Sequence, residues 1–410
     1  MGDVIEDIHK TEPSAPGAEA ERFHTGRVLT IGIGHAVHDT YTAFLAPLLP
    51  VFIATLSLSK TEAGLLTVFI QGPSLLQPFV GHLADRVGPR YFFILPLVVT
   101  AMMMSLLGVA PAYWVLALFL VATGLSSACL HAVGPVMTGD LSGCNLGRGM
   151  GFWMVGGELG RTLGPLVIVT AVQFLTLQGT PWLMIGGFFL SVLLYLWLGD
   201  VSPRSSRESQ GLPWRQALRG LRPLLFPLVG IIVVRAFMLS ALTTYLPTFL
   251  SEEGADLWLA GAALTVFQAA GMVGALLGGA LSDRMGRRKV LFVSLLTTSL
   301  LMFVFLGLQG WGRFPLLLLM GFTALSLAPV IMALVQESVP GGRALANGVY
   351  MALNFILRSG VVVVLGAVGD WLGLRSAFIV SASAPLLGLP LILLLPGGGR
   401  RPRRREGRSV

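Results

Sequence analysis

The sequence predicts an all-α integral membrane protein: twelve transmembrane helices in two six-helix, pseudo-symmetric bundles. Three observations carry that prediction. Hydrophobic residues are 54% of the 410 and charged residues only 12%, against about 25% charged in ordinary soluble domains, so the chain lacks the charged surface that a soluble core of this size requires. The polar residues gather in short clusters between apolar runs of about 20 residues, the length that crosses a hydrocarbon core. A stretch GHLADRVGPR at 81–90 returns as GALSDRMGRR at 279–288, a period close to half the chain.

In chain order, residues 1–25 are polar, rich in Pro, Ala and Glu, and without an apolar h-region. They read as a disordered cytoplasmic tail rather than a cleaved signal. The first bundle, 26–199, holds apolar runs at 28–54, 61–83, 91–110, 113–137, 149–174 and 181–198. A linker at 200–222 carries five arginines against Asp200 and Glu208, and Trp214, Leu218 and Leu221 give it a weak amphipathic face. It reads as cytoplasmic, partly helical and lying on the membrane surface. The second bundle, 223–397, holds runs at 224–250, 257–281, 290–308, 314–335, 345–368 and 376–395, and a basic tail at 398–410 follows.

Orientation follows from the arginines. The loops after spans 2, 4, 6, 8 and 10 carry Arg86 and Arg90, Arg148, the linker arginines, the Arg284–Lys289 cluster and Arg343, and the C-terminal tail is almost all arginine, while the opposite loops hold little, among them Lys60, Glu252, Glu253, Arg313, Asp370 and Arg375. Positive charge stays on the cytoplasmic side, which puts both termini there and the protein in the cell's inner (cytoplasmic) membrane. The net charge of +8 thus answers an anionic membrane surface rather than nucleic acid. A shift of 197 superposes Pro50 on Pro247, Gly64 on Gly261, Gln71 on Gln268, Asp140 on Glu337 and Arg161 on Arg358. Each half has an even number of spans, so the halves run parallel through the membrane. Such repeats place a binding site at their interface near mid-membrane.

The two GxLxDRxGxR loops resemble the signature of the major facilitator superfamily, and the resemblance covers nearly the whole chain after residue 25. GHAVHD, SLLQPFVGHLADR, GLSSACLHAVGP, GGELGRTLGPL and RAFMLSALTTYLPTFL are similar to the fosmidomycin-resistance branch of efflux proteins. That branch has Pro after the fourth-span histidine, where this chain has Ala132. The resemblance implies the major facilitator fold and alternating access. It pairs the loop arginine with an acid at the end of the fourth span. Carried onto this chain, that is a cytoplasmic gate of Gly81, Asp85, Arg86, Arg90 and Asp140, echoed by Asp283, Arg284 and Glu337. A glycine-rich fifth span ending in Gly164-Pro165 accompanies proton antiport in the resembled family; by itself it predicts close helix contact.

Charges inside the spans are the sharper signal, because each costs ~3 kcal/mol near the bilayer centre on insertion scales. The first span carries His35, His38 and Asp39, with 35 sharing a helical face with both 38 and 39. Asp39 falls near mid-span, where desolvation disfavours its charged form. With His35 or His38 beside it, it reads as a proton-coupling site; the competing reading is an ion pair with an arginine across the bundle. A metal site at these three is weak, since nothing else in the chain has ligand spacing. Arg235, Arg358 and Arg161 also fall near mid-span. Arginine cannot shuttle a proton, but it can grip an anionic group bidentately. Glu158 stands three residues before Arg161 and Asp39 is placed to face Arg235. With His131, Gln71 and Gln268 they form the candidate substrate-binding set, structural pairing being the alternative.

No GxSxG, HExxH, CxxC or P-loop occurs, which argues against an enzyme and against ATP-driven pumping. Two cysteines give no disulfide framework. The reading is a monomeric, proton-coupled antiporter exporting a small anionic or amphipathic compound. Its partners are that compound, protons and the bilayer, with no cofactor, metal or nucleic acid. Import or facilitated movement of an organic anion or other metabolite, and a non-transporting receptor, are the alternatives.

Overall fold

A computed structural model describes residues 23–77, 79–80, 83–84, 89–198, 214–338 and 343–395. The tails and the linker as far as residue 213 therefore lie outside the described residues. The helices, in order, are α1 (Thr25–Thr42), α2 (Leu45–Leu56), α3 (Lys60–Gln71), α4 (Pro89–Ser105), α5 (Tyr113–Leu141), α6 (Leu146–Leu175), α7 (Leu183–Leu198), α8 (Trp214–Ser240), α9 (Leu246–Glu252), α10 (Leu257–Met285), α11 (Arg287–Gly307), α12 (Arg313–Ser338), α13 (Arg343–Leu372) and α14 (Leu374–Leu393). Taking α1 with α2 and α8 with α9 as single spans, eleven are long and apolar enough to cross a membrane. The remaining expected span, the second, is α3 followed by a 3-10 turn at Gly72–Leu76, where Pro73 interrupts the ladder. The seventh span starts at Trp214, so the end of the expected linker is already helix.

The first span breaks at Ala43 and Phe44 because Pro47 has no N–H for the carbonyl of Ala43 and is tolerated only in the first turn of α2. One period later the seventh span carries a π-helical turn at Ala241–Tyr245 just ahead of Pro247. Such turns frequently mark functional places in a helix.

The buried apolar side chains separate by half. One cluster around Phe44, Leu48 and Leu49 and another around Phe93 and Leu97 draw on buried residues up to Leu198; a third around Tyr245, Phe249 and Phe267 draws on buried residues from Leu224 onward. The halves meet where α6 packs on α10 and α3 on α13. Within the first half, α6 lies against α1 through three glycines. A Cβ on Gly156, Gly160 or Gly164 would stand 2.2, 2.4 or 2.3 Å from the carbonyl oxygens of Gly32, Ala36 and Thr40. The contacts advance four residues at a time on both helices, the small-xxx-small face the sequence predicts.

At the end away from the arginine-rich loops, polar groups tie the halves together. The carboxylate of Asp370, in the last turn of α13, accepts from the backbone N–H of Lys60 at 2.6 Å and of Thr61 at 3.0 Å, and from Thr61 Oγ1 at 2.6 Å. It thereby satisfies orphan donors in the first turn of α3 and sits on the positive end of that helix. Ser59 and Glu62 close the same terminus as a capping box. Lys60 Nζ pairs with Glu252 at 3.0 Å, and Tyr245 OH reaches the carbonyls of Lys60 and Val362 at 3.0 and 2.9 Å. A Cβ on Gly366 would stand 2.7 Å from Lys60 O, so that glycine lets α13 approach α3 closely.

Candidate functional site

The glycine face of α6 brings two charged side chains against α1. Arg161 donates from Nη1 to Asp39 Oδ2 at 2.8 Å and from Nη2 to Glu158 Oε1 at 2.5 Å. The other oxygen of Asp39 lies 3.0 Å from His38 Nδ1, and His35 Nε2 stands 3.4 Å from Oδ2. Asp39, His35 and His38 are all buried. The cation that meets Asp39 is thus Arg161, not Arg235 as expected: the close approach of α1 and α6 decides it. Arg235 is buried in α8, and its Nε has no hydrogen-bond partner among the described residues.

Two of the three imidazoles are held by main-chain carbonyls. His35 Nδ1 lies 2.8 Å from Trp153 O with its ring stacked on the indole at 3.7 Å. His131 Nδ1, on α5, lies 2.9 Å from Ser127 O. A carbonyl only accepts, so each Nδ1 carries the hydrogen, and in the neutral ring Nε2 is a lone pair. For His35 that lone pair faces a carboxylate oxygen, and no other group among the described residues hydrogen-bonds to it. Two acceptors so placed are relieved by one proton between them. The rings of His35 and His38 lie 5.0 and 5.7 Å from that of His131, which places His131 with the acid cluster rather than apart from it. Donor atoms of His35, Asp39 and His131 fall within 4.8 Å of one another.

Arg161 also borders a cavity of about 200 Å³ between the halves, lined by Gln71, Thr243, Gln268 and Arg358 among others. Four expected substrate residues, Arg161, Arg358, Gln71 and Gln268, therefore meet in one place. Arg358 Nη2 donates to Thr243 Oγ1 at 2.8 Å, a residue of the π-helical turn. Glu158 reaches the cavity only through Arg161, and Arg235 is not among its lining residues. A second cavity, of about 290 Å³ around Glu253 and Arg313, is lined by the second half alone and lies away from this network.

Gly81, Asp85 and Arg86 of the expected gate lie outside the described residues. Its echo is described and differs from expectation. Glu337 is met by Arg287 at 2.9 Å, and Arg287 also pairs with Asp283 at 2.6 Å. Arg284, one residue beyond Asp283, is exposed; Arg287, the first residue of α11 past the break at Gly286, is the one that reaches α12. Arg90 donates to Tyr195 O at 2.7 Å and stacks over that ring at 3.8 Å, while Asp140 sits half-buried near the end of α5. Sequence reasoning missed the Asp370 cap. The signal was there: a lone acid ending an apolar run, and a Ser-x-x-Glu box opening another.

The family model of the Major Facilitator Superfamily matches residues 31–359, and again 254–409. The chain belongs to the major facilitator superfamily. It is a multi-pass membrane transporter, not an enzyme. Among relatives within the superfamily, the uncharacterized MFS-type transporter YfnC of Bacillus subtilis (strain 168) is 27% identical over 90% of this chain and 92% of that one. The fosmidomycin resistance protein of Escherichia coli (strain K12) is 23% identical over 93% and 95%. In fold, the chain is similar to a bacterial homolog of the human lysosomal transporter Spinster (TM-score 0.77, 15% identity, 91% and 97% covered) and to a D-xylose-proton symporter (TM-score 0.69, 16% identity, 92% and 99% covered).

Proposed function

We propose that this major facilitator protein is a proton-coupled secondary transporter of the inner (cytoplasmic) membrane. It exports a small anionic or amphipathic compound as an antiporter, by alternating access. One observation carries the reading: a buried acid and its histidines share Arg161 with a cavity between the halves. Asp39, His35 and His38 take up and release the proton, with His131 beside them. Arg161 and Arg358 meet the cargo's anionic group, and Gln71 and Gln268 its polar remainder. Export is supported by likeness to the fosmidomycin resistance protein. The arginine bias supports cytoplasmic termini.

Alternating access needs a closed outer end that can open. The Asp370 cap and the Lys60–Glu252 pair are read as that closure, and the Arg86–Asp140 and Arg287–Glu337 regions as its cytoplasmic counterpart. A second reading, inward movement of an organic anion, is favoured by the two guanidiniums at one cavity. A growth-inhibition panel in an efflux-deficient bacterium, with fosmidomycin among the compounds, tests both. Resistance conferred by wild type and lost in Asp39→Asn at equal membrane levels is the expected outcome. Heightened sensitivity to an anionic compound selects the second reading, and no change with either protein defeats the efflux reading.

A further inference from the structure

Of the three arginines near mid-span, the described acids account for one. Arg161 has Asp39 and Glu158. Arg358 donates to the hydroxyl of Thr243. Arg235 makes neither a hydrogen bond nor an ion pair with any described residue, and its Nε is sealed in without a partner. It is 5% exposed and stands eleven residues past Leu224, where its span begins, about 17 Å along the helix. That is the middle of a hydrocarbon core about 30 Å thick, out of reach of a lipid headgroup. A guanidinium does not shed its proton to escape burial, and buried arginines are almost always paired. We propose that Arg235 and Tyr350 hold a small monovalent inorganic anion, of the size and charge of chloride, at a site separate from the cargo cavity.

Register, donor chemistry and charge all lead to this pair. α8 and α13 pack together with their numbers rising in the same direction, for Thr243 meets Arg358 and, further on, Tyr245 meets Val362. Arg235 and Tyr350 have the same separation of 115 residues as Thr243 and Arg358. They form a second rung of the same helix pair, eight residues earlier on each helix, or about 12 Å toward the ends at which both helices start. Tyr350 is the ionisable neighbour that acts on Arg235 electrostatically, and no carboxylate does so. Its side chain is buried, and its hydroxyl has no hydrogen-bond partner among the described residues. A guanidinium N–H edge and a phenol O–H offer only donors around one positive charge, which is the chemistry that takes an anion and refuses a cation. With the imidazoles neutral, Arg161, Arg235 and Arg358 face Asp39 and Glu158, leaving one positive charge, and a monovalent anion balances it. Arg235 and Arg358 also lie within reach of each other as like charges, a repulsion that an anion at Arg235 offsets. The burial of both side chains, 5% and 3% exposed, limits the occupant to a small ion. Arg235 is not part of the wall of the cavity that holds Arg358, so the two sites fill independently.

The test uses the purified full-length chain and needs no transport assay. Chloride replaces gluconate, a monovalent anion too bulky for the site, at constant ionic strength, and the thermal midpoint is followed together with the chlorine-35 NMR linewidth of the free ion. In wild type the midpoint rises saturably, by about 2 °C, and the chloride line broadens; bromide acts as chloride does. Arg235→Met loses both responses. Tyr350→Phe keeps the charge and loses one donor, so half-saturation needs several-fold more chloride. Arg358→Met keeps both responses. A wild-type midpoint that is the same in chloride and gluconate overturns the proposal. So does a chloride response that persists in Arg235→Met, which shows adventitious surface binding only, and so does a response lost in Arg358→Met but kept in Arg235→Met, which moves the anion to the cargo cavity. Stabilisation by sulfate and not by chloride overturns the choice of a small monovalent ion. If Arg235→Met does not fold, Tyr350→Phe decides, and half-saturation equal to that of wild type overturns the proposal.

Discussion

Asp39 meets Arg161, His38 and His35 within 3.4 Å, and it does so because α6 has no side chains in the way. Gly157 and Gly160 are the reason: a Cβ on Gly157 would stand 2.5 Å from the His35 ring, and one on Gly160 2.4 Å from Ala36 O and 2.8 Å from Asp39 Cβ. Gly160→Ala is therefore expected to cost about 1–3 kcal/mol through overpacking. It should lower the thermal midpoint of the purified protein. Gly151→Ala, on the same helix with nothing within 4 Å, should leave the midpoint unchanged or raise it, since alanine is the better helix former by about 1 kcal/mol. Equal midpoints for the two variants would refute the close-approach account. At this scale the sequence shows which residues are charged within the spans, not which of them meet. Asp39 facing Arg235 was a reasonable expectation from equivalent spans; the glycine register on α1 and α6, spread over 124 residues of separation, selects Arg161 instead.

The pairing of α3 with α13 is the outer closure in this account, and the carboxylate of Asp370 on the α3 N-terminus is its strongest polar contact. Asp370→Asn keeps the shape but loses the charge that favours a helix N-terminus. It is expected to shift the population toward an outward-open state, read as a longer distance between spin labels on the outer ends of α3 and α13 in a background lacking Cys129 and Cys144. An unchanged distance distribution would show that the cap is a static brace. The spans themselves are legible from the sequence because an apolar run of about 20 residues admits little else. Their faults are less so. Pro47 announces the break in the first span, yet nothing in ALTTY announces a π-helical turn, whose cause lies in Pro247 downstream and in Arg358 holding Thr243. Likewise Glu337 was expected to meet Arg284, and the break at Gly286 between α10 and α11 gives it Arg287.

Across the whole molecule, the offset of 197 residues predicts two parallel halves, and the buried apolar clusters divide accordingly. The halves do not carry the same charged residues. The first holds Asp39 and every histidine of the buried cluster, while the second offers Arg358 at the matching place of Arg161 and has Ala236 where the first has Asp39. In the proposed reading, proton chemistry sits in one half, and the cavity assigned to the cargo lies between both. The central claim is that the Asp39–Arg161 network couples proton movement to cargo movement. Its most direct test is dye-reported proton flux in proteoliposomes, driven by a gradient of the compound that the growth panel identifies. Cargo-driven proton movement in wild type, absent in Asp39→Asn although the variant still binds cargo, is the predicted result. Equal proton movement in the two proteins, or cargo crossing without any proton movement in wild type, would contradict the account.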